Sequence, residues 1–309
     1  MRVTSNTYTS LILNSSQNEQ SQLATLQQQI SSGQSVQFAS DDPLDYQQAA
    51  QTQNSLAQLN TYNTAASEAN SLATTNNTAV TSLHQIVAQA SEIVTGITSN
   101  ASAASLQDIG TEMSSLLTQI TSIANQKSAN GNYLFGGTSN QPPITSTGAY
   151  NTATNGDETT IEVQPGNTVQ TGIVTGQPGP PAVSGFLYDA STSVDVIGAI
   201  KQTISDLNSG NATAVQTTDL PALNNALNHI SQYVGSTAAS LSAAETASKN
   251  IQQQITTQGN QLNSLTQTNL PDATLQLQQI QTQYQASLEA GTRILGLSIL
   301  NYISAVPAG

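Results

Sequence analysis

Few side chains in this sequence could bind a metal or move a proton near neutral pH. His84 and His229 each fall in or beside an apolar stripe, with no second His or Cys at ligand spacing. A zinc site needs three or four convergent ligands, so both histidines are expected to serve packing. Asp41, Asp42 and Asp45 form the densest group of carboxylates, and their arrangement around Pro43 points to helix capping rather than cation binding. Asp157 and Glu158 sit in a turn-rich stretch and are expected in solvent. The patterns H-E-x-x-H, G-x-S-x-G, G-x-x-x-x-G-K-[ST] and G-x-G-x-x-G do not occur. Cysteine is absent, which rules out thiolate and disulfide chemistry. The expectation is no catalytic residue, no cofactor and no metal.

The bulk chemistry narrows the partners. Charged residues make up 7% of the 309, against the usual quarter, so Gln, Asn, Ser and Thr must keep the surface wet. Arg2, Lys127, Lys201, Lys249 and Arg293 are the only cations and the net charge is −13, which argues against a nucleic-acid backbone as partner. Aromatics are 4% and Trp is absent; a large round core is hard to build from that, whereas a thin seam of Leu, Ile and Ala between helices is easy. No apolar run approaches the roughly 18–20 residues of a membrane span, so no membrane insertion is expected. The N-terminus lacks the apolar stretch of a cleaved secretory signal, so export is expected to use another route.

The elements that must position these residues are helices. In residues 220–265, Leu220, Leu223, Leu227, Ile230, Val234, Leu241, Ile251, Ile255, Leu262 and Leu265 recur at steps that favour one face, with small residues in the gaps. A straight helix of that length would run roughly 65 Å, so it is expected to be one strut of a rod. A second long helix is predicted from Asp42, as cap, with Pro43 in its first turn and Asp45 at its positive end, to about Thr98. Its stripe includes Leu72, Asn76, Ala79, Leu83, Ile86, Ala90 and Ile93. A third helix carries Leu106, Ile109, Met113, Leu116, Ile120 and Ile123. Tyr133 to Phe135 is expected to be a short strand, and strands are also predicted over 159–163 and 168–174.

The two ends carry their own stripes. Ile12, Leu23, Leu26 and Ile30 mark the first helix, which should stop at Gly33. Leu277, Ile280, Tyr284, Leu288, Leu295 and Ile299 mark the last. The expected fold is mainly α: an elongated antiparallel helical rod or coiled coil made from the N- and C-terminal halves, with a small inserted β-rich domain. The expected domains are 1–40 with 266–309 as a terminal coiled coil, 41–137 with 190–265 as a rod, and 138–189 as the β insert. The terminal stripes are the candidate interaction site, for pairing with each other and with neighbouring copies.

Four pieces carry a family resemblance. They are Gln29-Ile30-Ser31-Ser32-Gly33, Ser40-Asp41-Asp42-Pro43, Ile123-Ala124-Asn125 with Gly131-Asn132-Tyr133-Leu134-Phe135-Gly136-Gly137, and Leu297-Ser298-Ile299-Leu300-Asn301-Tyr302-Ile303. In this order and spacing the chain resembles the bacterial flagellin superfamily over roughly 1–137 and 190–303. Pro43 and Leu270-Pro271-Asp272-Ala273 resemble its hook–filament junction branch (hook-associated protein three) more than flagellin itself. The resemblance implies a secreted structural subunit of the extracellular flagellum, exported by the flagellar type III route. It would join the hook, through another hook-associated junction protein, to the flagellin filament. The implied partners are copies of itself in a helical or ring assembly, that junction protein, flagellin and an export chaperone. A filament subunit is the nearest alternative, and a rod-like surface adhesin a more distant one.

Overall fold

Caps and breakers set the helix boundaries. In the computed structural model, which describes residues 5–151, 157–179 and 182–304 and, within the terminal helices, the side chains of 10–293, helix α1 spans Ser5–Ser32. Gly33 ends it at φ 71°, its N–H donating to the Gln29 carbonyl. A glycine tolerates that left-handed backbone without the Cβ penalty. Helix α2 spans Pro43–Thr95. Asp42 Oδ1 accepts from the N–H groups of Leu44 at 2.9 Å and Asp45 at 3.0 Å, two donors the helix cannot satisfy itself. Asp41 closes the preceding turn by accepting from Gln37 and Phe38, and those bonds hold its carboxyl below the usual range. Replacing Asp42 by Ala should cost about 1 kcal/mol at this end of α2. Faster hydrogen exchange confined to residues 43–46 is the expected readout.

Helix α3 spans Ala103–Ala124, capped by the Ser102 hydroxyl, and buries Leu106, Met113, Leu116 and Ile120 on one face. Strands β1 (Thr160–Gln164) and β2 (Asn167–Gln170) form an antiparallel hairpin that turns at Gly166. Strands β3 (Tyr188–Asp189) and β4 (Val194–Asp195) form a second, minimal pair. Helix α4 (Val196–Asn208) starts from the Asp195 cap, whose Oδ1 accepts from Gly198 N–H at 2.7 Å. A short helical turn, α5 (Ala212–Ala214), and a π-helical turn (Val215–Asp219) lead into α6, Leu220–Thr266. Helix α7 spans Leu270–Ser304.

One strand expectation fails and another is cut short, for one reason. Residues 133–136 make only isolated bridges, Lys127 with Tyr133 and Gly136 with Val174. Consecutive residues Leu134 and Phe135 are both buried, whereas a strand points neighbours to opposite faces; the backbone must turn to sink both. Likewise β2 stops at Gln170, because Thr171 to Gln177 are buried one after another.

The chain divides into two compact units: residues 1–58 with 255–309, and residues 59–254. The second has a continuous core. Leu83 and Val87 of α2, Met113 of α3, Ile200 of α4 and Ile230 of α6 share it with Phe135, Ile144, Phe186 and Leu187 from the segment between α3 and α4. The Phe135 and Phe186 rings lie 4.6 Å apart between centroids, and Phe186 meets Tyr233 of α6 edge-on at 6.2 Å. Asn76, at a stripe position of α2, is buried and donates to the Thr171 carbonyl at 2.6 Å.

Candidate functional site

The histidines are used inside the second unit. A ring nitrogen of His229 lies 2.9 Å from the Gly185 carbonyl, and one of His84 lies 3.0 Å from the Ser231 hydroxyl. Among the described residues no group of three or more His, Cys, Asp or Glu is gathered to hold a metal.

The first unit is organised by α1 against α7. The helices run antiparallel. Beyond the end of α1, Gln34 bridges Gln267, Ser35 N–H donates to the Thr266 carbonyl at 2.7 Å, and Thr268 N–H to the Gly33 carbonyl at 3.0 Å. On α1 the sheltered side chains along the seam are Ile12, Ser16, Glu19, Leu23, Leu26 and Ile30, while Gln29, also half-buried, donates instead to the Ser35 carbonyl; on α7 they are Ala273, Leu277, Ile280, Tyr284, Ser287 and Gly291. Both sets step by four and three in alternation, the period of a two-helix seam. At Gly291 the helices come close: an added Cβ would sit 3.2 Å from Ile12 Cγ2.

This seam is only half covered. In the whole first unit the described residues that are buried are Leu26, Ala49, Thr52, Thr268 and Ala273. Ile12, Leu23, Ile30, Leu277, Ile280 and Tyr284 are half-buried. Leu288, read from the sequence as a stripe residue, is 46% exposed beside the seam, and Leu11, Leu13 and Leu275 are more open still. Leu295 and Ile299 belong to α7, but their side chains lie outside the described residues. Ser16, Glu19, Ala273, Ser287 and Gly291 were not picked out by apolar spacing. The 4–3 step itself is the signal that could have found them.

Glu19 is the odd member. Its Oε1 accepts from the hydroxyls of Ser287, across the seam at 2.9 Å, and Ser15 at 3.1 Å. Its Oε2 is buried with no partner. A buried carboxylate oxygen without a donor is costly. Replacing it by Leu should strengthen the α1–α7 pair by about 1–2 kcal/mol. Slower hydrogen exchange in both helices is the expected result; unchanged or faster exchange would show that the carboxylate is already satisfied.

Residues 3–140 match the family described as the bacterial flagellin N-terminal helical region, so the likeness to the flagellin superfamily read from the sequence holds over that part. No curated protein matches in sequence. Among solved structures, FlgL of Bacillus cereus has a TM-score of 0.56 at 18% identity, covering 69% of this chain and 99% of its own. A flagellar hook-associated protein of Vibrio parahaemolyticus has a TM-score of 0.57 at 17% identity, covering 74% and 97%. The flagellar junction protein FlgL of Legionella pneumophila has a TM-score of 0.55 at 14% identity, covering 71% and 99%. At these identities the likeness establishes a shared, flagellin-like helical fold.

Proposed function

We propose that this chain, flagellin-like in its N-terminal region and sharing the fold of flagellar junction proteins, is a structural subunit of the bacterial flagellum that joins the hook side to the filament. The observation that carries this reading is the half-covered seam between α1 and α7. Two helices paired along one stripe leave Leu11, Leu13, Leu275 and Leu288 in water. Covering what remains open on each would add about 1 kcal/mol, and neighbouring copies can cover them all at once. A contact that repeats without closing on itself builds a tube. In this reading the seam residues Ile12, Leu23, Leu26, Ile30, Leu277, Ile280 and Tyr284 back the assembly face, Leu288, Leu295 and Ile299 belong to it, and Asp42, Pro43 and Asp45 fix where it gives way to α2.

The partners in this proposal are copies of the chain, a second hook-associated protein, flagellin and an export chaperone. The place is the extracellular flagellum, and the role is non-enzymatic. Among the described residues no helix is long and apolar enough to cross a membrane.

Fluorescent labelling through an introduced cysteine at an exposed position such as Ala104 tests the proposal. The label should appear as one scarce spot at the base of each filament, and cells lacking the protein should bear hooks without filaments. The match to the flagellin N-terminal region also favours a second reading, a filament subunit. Label along the whole filament would establish that reading and overturn the junction role.

A further inference from the structure

The π-helical turn Val215–Asp219 places an acid where the fold gives it no cation. Asp219 is 1% exposed, and its Oδ2 is buried without a hydrogen-bond partner. Its neighbour is a second acid, Asp206 on α4, which lies within side-chain hydrogen-bonding reach. Asp206 is itself held by the Gln202 amide at 2.9 Å. Among the described residues Asp206 is the charged group that acts on the Asp219 carboxyl. The end of α2 meets it through the Ile97 carbonyl, which accepts from Gln216. Helix α6 continues it through Leu220, whose N–H donates to the Val215 carbonyl, and α5 precedes it with Ala212 and Ala214.

Out of water and beside a second carboxylate, Asp219 cannot ionise without cost. Elongated backbone bonding at a π turn is also weaker than a regular helix, so the turn depends on what its side chains do. We propose that Asp219 holds a proton and donates it to the Asp206 carboxylate, and that this proton keeps the joint between α4 and α6 closed. Protonated Asp219 donates to the Asp206 carboxylate. When the proton leaves to water, a buried negative charge on Asp219 faces the half-exposed charge of Asp206 and the turn opens more readily.

Burial first, and then the Asp206 charge, raise the Asp219 carboxyl to about 6 from an ordinary value of 3.8. A carboxyl raised on folding stabilises the fold when protonated. The contribution is therefore complete below about pH 4 and is lost as pH rises through about 6. The pair makes this joint acid-stabilised, opposite to the usual carboxylate that favours the fold only when ionised.

Hydrogen exchange of the full chain tests this at about pH 4 and about pH 7.5, with protection over residues 208–222 corrected for intrinsic rates. Protection should fall at the higher pH, by about a hundredfold at most if the whole shift is expressed. In Asp219→Asn that step should vanish, and protection at the higher pH should exceed that of the unsubstituted chain. Asp206→Asn, which keeps Asp219 but removes the facing charge, should shrink the step; it also decides the matter should the first variant fail to fold. Equal protection at both pH values in the unsubstituted chain, or a step that survives either substitution undiminished, would overturn the proton held on Asp219.

Discussion

Replacing Leu288 by Asp should abolish assembly of this chain while leaving the second unit as stable as before. Leu288 is 46% exposed beside the α1–α7 seam, so the single molecule loses little when it becomes polar. An assembled molecule loses far more. The proposed contact would then bury an unpaired carboxylate, which costs several kcal/mol, in place of a leucine worth about 1 kcal/mol. The loss recurs at every copy, so an assembly cannot dilute it. Sedimentation of concentrated protein and filament counts on cells should both fall to background, while the thermal midpoint of the second unit stays put. Leu288→Met, which keeps the apolar volume, should assemble normally. Normal filaments on cells carrying the Asp variant would show that this side of α7 faces nothing in the assembly.

Helix ends were the most legible part of the fold, because each is fixed by one or two residues acting locally. Asp42 and Pro43 place the start of α2, and Gly33 places the end of α1. The long stripe of α6 was legible for a related reason: a helix surface repeats, so spacing alone separates its faces. The π turn was not. Gln216, Thr217, Thr218 and Asp219 carry no period, and what distinguishes them is a contact to Ile97 from far along the chain and the burial of Asp219. The buried loop segments were missed in the same way: runs of β-branched residues suit a strand, but here every side chain is taken into the core.

The candidate site was half legible. Leu23, Leu26, Leu277 and Ile280 announce themselves as apolar residues at helical spacing. Glu19, Ser287 and Gly291 do not, since a carboxylate, a hydroxyl and a missing side chain give no hydrophobic signal. Their roles appear only once two helices 268 residues apart in sequence at the Glu19–Ser287 contact are set in register. Exposure of Leu288 was also beyond the sequence, because a stripe wider than one partner can cover looks the same as one fully covered.

The second large effect belongs to the second unit. Truncating Phe186 to Ala should destabilise it by about 3–5 kcal/mol, the usual range for a buried aromatic. Phe186 is fully buried. It packs on Phe135 from one side and on Tyr233 of α6 from the other. Beside it, Gly185 gives its carbonyl to His229, and Phe186 N–H donates to the Val174 carbonyl. The cavity therefore opens where the segment between α3 and α4 is fastened to α6, and the surrounding backbone is too well bonded to collapse into it. Urea unfolding should show a lower midpoint with an unchanged slope. Hydrogen exchange should quicken first over 173–188 and the facing turns of α6, with α1 and α7 unaffected. A loss below about 1 kcal/mol would mean that the ring fills space its neighbours can close without it, and that α6 is fastened elsewhere.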